Sequence, residues 1–137
     1  MVYVFSTIKE IKTMKLEDME VRSELGRNIY AVRFMGRLKD VKKERSKYVI
    51  TITDGEDELD AIYFPGMMIS ARTKELSLRR GRTYIFFAHL EPQNRICYID
   101  FFTEADIQYQ LRFLIGLFIT YFELTFRRSS SATGSKL

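Results

Sequence analysis

The residue types best equipped to do something chemical in this chain are its cations and its aromatic rings. Lysine and arginine gather in three places: Arg33, Arg37 and Lys39 along one alternating run; Lys42, Lys43, Arg45 and Lys47 just beyond it; and Arg79, Arg80 and Arg82 ahead of another run. Cations spaced along a chain can follow a phosphate backbone, and planar side chains can stack on unpaired bases, so the combination points to single-stranded nucleic acid. The plain alternative is a solvated loop, which charge runs usually are. Phe64, just ahead of Pro65-Gly66, likewise has two readings: a ring for base stacking, or a side chain packed against Met67-Met68.

Groups that suggest catalysis do not assemble. Asp54, Glu56, Asp57, Glu58 and Asp60 crowd one turn, whereas paired catalytic carboxylates need a cleft and opposed environments. The one histidine, His89, has no candidate triad partner, and the one cysteine, Cys97, sits among Ile96, Tyr98 and Ile99 as a core residue would. One Cys and one His exclude an internal disulfide and a Cys/His zinc site. Gly81 stands alone among arginines, so there is no glycine-rich phosphate loop. The expectation is a protein that is not an enzyme, with no metal and no cofactor.

The elements that would position the cations and rings follow from periodicity. Thr7-Ile8-Lys9-Glu10 is a capping-box pattern opening a helical turn to about Met14, with Ile8 and Ile11 inward. A short strand or extended arm is expected around Met19 to Arg22, with a turn at Gly26. From Ile29 the period becomes two: Tyr30, Val32, Phe34 and Leu38 form a core side, and Arg33, Met35, Arg37 and Lys39 a basic side. Gly36 interrupts that strand where a sharp bend would help close a barrel. Val41 to Ser46 reads as a basic loop, and Tyr48, Ile50 and Ile52 continue a second strand to the hairpin signal Asp54-Gly55.

A third strand, Glu58 to Phe64, places Leu59, Ala61 and Tyr63 on one face. The connection from Met67 to Leu78 is long enough for a short helix, and strands at Arg82–Leu90 and Arg95–Phe102 meet at the Glu91-Pro92-Gln93-Asn94 turn. Three strands, a long connection, two strands and a helix fit an all-β fold with helices: a five-stranded OB-fold barrel followed by a long C-terminal α-helix. An SH3-like barrel is second, because it usually lacks that connection. The domains expected are 1–102, the barrel; 103–128, an oligomerisation helix; and 129–137, a flexible polar tail.

The helix is read from Thr103 as N-cap, with Glu104 and Asp106 in its first turn and Arg127 and Arg128 at its end. Leu111, Leu114, Ile115, Phe118 and Phe122 recur at helical spacing while other apolar residues fill further sides, more than one small barrel can cover. A protein partner is therefore expected on this helix, and Gly116 would allow close approach. Ten uncharged residues between Arg112 and Glu123 fall short of the roughly 20 that span a bilayer, so no membrane is expected. The closing Ser135-Lys136-Leu137 matches the peroxisomal address tripeptide, a match short enough to arise by chance. A net charge of +4, with 46% hydrophobic and 29% charged residues, fits one globular domain with a mild lean towards an anionic partner.

From Ser6 to about Arg128 the sequence resembles the core of the middle subunit of replication protein A. The resemblance is carried by Thr7-Ile8, Phe34-Met35-Gly36, Tyr48-Val49-Ile50-Thr51-Ile52-Thr53-Asp54, Asp60-Ala61 and Ala88-His89-Leu90, in order. It implies a nuclear, non-enzymatic subunit of a single-stranded DNA-binding heterotrimer in replication and repair. The terminal helix would join a three-helix bundle with a larger multi-OB subunit and a small OB subunit. The resemblance places a stacking ring at Phe64; on an OB barrel the first loop borders the binding groove, so Lys42, Lys43, Arg45 and Lys47 are the preferred phosphate contacts, with Arg37 and Lys39 on the adjoining strand face. It departs where the family has a second stacking ring, since this chain has Glu91, Pro92, Gln93 and Asn94. Without a winged-helix segment, a minimal form, a fragment or a counterpart of the smallest subunit is expected. The related telomere-capping complex, with similar small OB subunits, is the alternative, and a helix-driven interaction adaptor without nucleic-acid binding is a further one.

Overall fold

The computed structural model describes residues 2–65 and 77–134, with side chains described as far as residue 127. Contacts divide the chain into two compact units, Met1–Ala105 and Asp106–Leu137. The expected helix in the long connection falls on 66–76, outside the described residues.

The first unit opens with β1 (Val4–Phe5) and α1 (Ile8–Ile11), a single turn capped by the Thr7 hydroxyl, which accepts from the Glu10 N–H at 3.1 Å. Ile8 and Ile11 are buried, as the capping-box pattern predicts. The arm expected near Met19 is a hairpin of β2 (Lys15–Glu17) and β3 (Glu20–Arg22), turning through Asp18 and Met19, both at positive φ. Gly26 turns at φ 81°.

Five strands make the barrel: β4 (Ala31–Glu44), β5 (Lys47–Thr53), β6 (Glu58–Tyr63), β7 (Thr83–Glu91) and β8 (Ile96–Glu104). Their order is β4-β5-β6-β8-β7, closed by β7 on β4, with β6 and β8 parallel and the other pairs antiparallel. This is the OB fold, to which β1 adds a sixth strand, parallel to β4. Closure depends on β4 serving two partners, pairing with β7 over Ala31–Arg37 and with β5 over Arg37–Glu44. Gly36 stands at the changeover, where a Cβ would collide with Cγ2 of Ile52. The core is built from alternate residues of every strand, among them Phe34, Leu38, Ile50, Ile52, Leu59, Ala61, Phe86, Ala88, Leu90 and Cys97, with Ile8 and Ile11 in the same cluster.

Four local expectations change. Tyr30 is 46% exposed and precedes β4, so it is not a core residue. Val41 to Ser46 is not a loop: β4 and β5 remain paired to Glu44 and Lys47, leaving Arg45 and Ser46 as the turn. Thr103 lies in β8, and the N-cap falls at Asp106, whose Oδ1 accepts from the Tyr109 N–H at 2.8 Å. Helix α2 spans Ile107–Gly134 and so runs beyond 128; of the expected tail, 135–137 lie outside the described residues.

Candidate nucleic-acid interface

Strand alternation sorts the cations of the β4–β5 hairpin. Lys43 pairs with Tyr48 on the face that continues Val41 and Ile50 towards the core, and its Nζ lies 6.0 Å from the Tyr48 ring centre. Lys42 and Lys47 take the opposite face, outside the barrel, with Lys42 across from Val49. Arg45 occupies the turn at φ 51°, and Arg37 is exposed beside the changeover at Gly36. Among the described residues none of these five cations is ion-paired.

Other basic residues have carboxylate neighbours. Lys39 is paired with Glu58, Arg80 with Asp40 at 2.6 Å, and Arg82 with Glu104 at 3.2 Å, all exposed pairs. Arg33 lays its guanidinium over the Phe5 ring, 3.8 Å from its centre. The hairpin therefore holds the positive charge free for a phosphate, and the Arg79–Arg82 cluster holds less.

Phe64 follows the Tyr63–Tyr48 pair at the end of β6, which sets it next to Lys47 in register and on the same outer face. The residue is 38% exposed. Its alternative role, packing against Met67-Met68, falls outside the described residues. The ring is near-parallel to Tyr98 on β8, with centres 6.2 Å apart and planes at 22°. Tyr98 is near-parallel to His89 on β7, at 5.3 Å and 19°, and His89 faces Tyr30 at 6.2 Å and 37°. Four rings thus cross the outer surface from the end of β6 to the start of β4.

The sequence alone assigns Tyr30 to the core side and names Tyr98 only as a neighbour of Cys97, so neither is marked there as a binding ring. The signal was present in the period-two pattern of 95–102: Cys97 and Ile99 are buried, so Tyr98 must face outwards. His89 is held in place by Asp100, whose Oδ1 is 2.7 Å from Nδ1; facing a carboxylate, that nitrogen carries the proton and donates. The second oxygen of Asp100 accepts from the Tyr3 hydroxyl at 2.9 Å. Partial burial, together with this bond to Asp100, pushes the Tyr3 hydroxyl up to about 12. The loop after β7 closes on itself, with the Glu91 carboxylate accepting from the Gln93 and Asn94 N–H groups at 2.7 and 3.1 Å.

Taken alone, α2 exposes large apolar side chains along most of its length. Leu111, Leu114, Ile115, Phe118 and Phe122 are all exposed, Phe118 to 72%, and the Phe118 and Phe122 rings are 6.4 Å apart. Thr120 and Thr125 turn their hydroxyls back to the carbonyls of Gly116 and Tyr121, so these polar groups need no outside partner. Among the described residues no helix is long and apolar enough to cross a membrane, and no group of three His, Cys, Asp or Glu side chains converges as metal ligands would. Cys97 is wholly buried, and burial pushes its thiol far up, away from nucleophilic use.

No protein-family model and no curated protein matches the sequence. Solved structures do match in shape. A chain of the S. pombe Stn1-Ten1 complex superposes with a TM-score of 0.80 at 12% identity, covering 96% of this chain and 99% of that one. A chain of a replication protein A heterotrimer bound to single-stranded DNA gives 0.71 at 12% identity, covering 90% and 98%. The telomere capping protein Ten1, described as from Saccharomyces pombe, gives 0.52 at 12% identity, covering 93% and 99%. At such identities the likeness is one of fold, and it agrees with the OB barrel and terminal helix described above.

Proposed function

We propose that this chain is a non-enzymatic small OB-fold subunit of a nuclear single-stranded DNA-binding complex, of the telomere-capping kind. It docks on a larger OB-fold subunit through α2 and adds modest contacts to the strand. The observation that carries this reading is the run of exposed apolar residues on α2, Leu111, Leu114, Ile115, Phe118 and Phe122, directly after a closed OB barrel. A helix apolar on most of its circumference is stable in water only when covered. The unpaired Lys42, Arg45 and Lys47 beside the exposed Phe64 supply the two side-chain types that single strands require. The higher TM-score with the Stn1-Ten1 chain, 0.80 against 0.71, favours the telomere-capping kind over the middle subunit of replication protein A.

The replication protein A reading stands second, supported by the run Tyr48 to Asp54 and by the shape shared with the heterotrimer. In that case α2 joins two further helices from a larger multi-OB subunit and a small one. Purification of the tagged chain with whatever binds it, followed by binding to labelled oligonucleotides at several salt concentrations, tests both readings. A stable heteromer with an OB-containing partner, binding single strands with a negative salt slope, is the expected outcome. Preference for G-rich repeats over mixed sequence selects the capping reading; indifference to sequence selects the replication one. A monodisperse monomer without oligonucleotide affinity overturns both.

A further inference from the structure

The row of rings crossing the barrel wall continues from the position where the hairpin cations end. Phe64 lies beside Lys47, and Tyr98, His89 and Tyr30 lead away from it over β8, β7 and the start of β4. Across four adjacent strands, at the usual sheet spacing, this row covers about 14 Å. That carries Tyr98, His89 and Tyr30 progressively away from the cations of the β4–β5 hairpin, which Phe64 adjoins.

We propose that Tyr98, His89 and Tyr30 extend the stacking surface begun by Phe64, so that a single strand whose phosphates are held at one end by the hairpin cations continues with its bases along the row. The inference rests on the single-strand-binding reading and names further residues for it. Three features support it. Phe64, Tyr98 and His89 are near-parallel, so a base plane can be added in the orientation they already share; Tyr30 is tilted 37° to His89, and the end members Phe64 and Tyr30 are 38% and 46% exposed. The middle of the row is set in advance: His89 is fixed by Asp100, and Asp100 in turn by Tyr3, so little side-chain freedom is lost on binding. Finally, charge divides the surface. Lys42, Arg45 and Lys47 mark one end, whereas the Asp100 carboxylate sits beside His89 and disfavours a phosphate there, leaving the rings to the bases.

The test uses the full chain, with its partner if one co-purifies, and fluorescein-labelled oligothymidylates of 4 and 12 nucleotides read by anisotropy. Tyr98→Ser and Tyr30→Ser are each expected to weaken binding of the 12-mer by about five-fold or more, the loss of one stacked base. Neither changes the salt slope, because no phosphate contact is removed. Tyr98→Phe and Tyr30→Phe keep the ring and bind as wild type. Tyr30 lies at the exposed end of the row, so its variants report even if Tyr98→Ser fails to fold. If both Ser variants bind the 12-mer as wild type while Phe64→Ser and Lys47→Glu weaken it, the row is surface packing and this inference falls, with the function above intact. If the wild-type protein binds neither oligonucleotide, the single-strand reading itself falls and the row with it.

Discussion

Among the described residues, Glu10 is the most heavily committed side chain outside the apolar core. Its carboxylate, 3% exposed, accepts from Ser6 at 2.9 Å and Ser23 at 2.7 Å and is clamped by Arg27, whose Nε and Nη2 lie 2.8 and 2.5 Å away. Arg27 also donates to the Phe5 carbonyl, so one charge pair ties α1, the end of β1 and the approach to β4 together. Removing one member of a buried pair strands the other: Glu10→Ala is expected to cost about 3–5 kcal/mol in urea unfolding. Arg27→Lys should recover only part of the wild-type stability, because an ammonium cannot reproduce the forked contact. Tyr3 carries a pH dependence. Its folded pKa of about 12 exceeds the ordinary 10, so the folded state holds a proton that the unfolded state releases. Its stabilising contribution is present below pH 10 and is lost as the pH rises to about 12. Tyr3→Phe should flatten part of that alkaline limb in unfolding midpoints taken from pH 9 to 12. Burial raises Tyr63 and Cys97 as well, and these keep some slope. The capping box announced Glu10 as a helix residue; its burial against Arg27 was illegible, because the partners are 17 residues apart in sequence.

At the scale of the element, β4 decides both closure and the site. Gly36→Ala places a methyl against Ile52 and is expected to destabilise by about 1–3 kcal/mol, read by thermal or urea unfolding. The hairpin at its far end makes a sharper prediction about binding. Lys47→Glu, on the outer face beside Phe64, should weaken single-strand binding and lower the magnitude of the salt slope by more than one charge neutralisation would. Lys43→Glu, on the Tyr48 side, should change that slope less. From the sequence the four cations formed one cluster, because a loop has no faces. Pairing as far as Glu44 and Lys47 turns the same residues into a strand with two faces and separates Lys43 from Lys42 and Lys47.

For the whole molecule, the barrel is self-sufficient and the helix is not. The barrel closes its own edges by β7 on β4, and its core is continuous. The α2 residues Leu114 and Phe118 remain exposed, so Phe118→Asp or Leu114→Asp should abolish assembly in size-exclusion chromatography while leaving the β-rich circular dichroism and the unfolding of the barrel unchanged. Retained assembly in both variants places the partner surface elsewhere. A wild-type chain that stays monomeric when its apolar helix is intact removes the ground for a partner on α2.

The sequence by itself determined the elements and the fold class. Alternation in β4 to β8, the Asp54-Gly55 turn, the single long connection and the helical period of the stretch read from Thr103 are local signals, and local periodicity reports which residues share a face. It also determined that the helix exceeds what its own barrel needs, since an apolar surplus is a property of composition around a helix axis. Only the tertiary structure decided which faces meet. The order β4-β5-β6-β8-β7 brings Phe64 to Tyr98 and Tyr98 to His89, neighbours in space that are separated in the chain by the long connection and a hairpin. Register decided which hairpin lysines face outwards, because a one-residue difference in pairing reverses every side chain. The rings and cations were legible as types; their assembly into one surface is a consequence of closing the barrel.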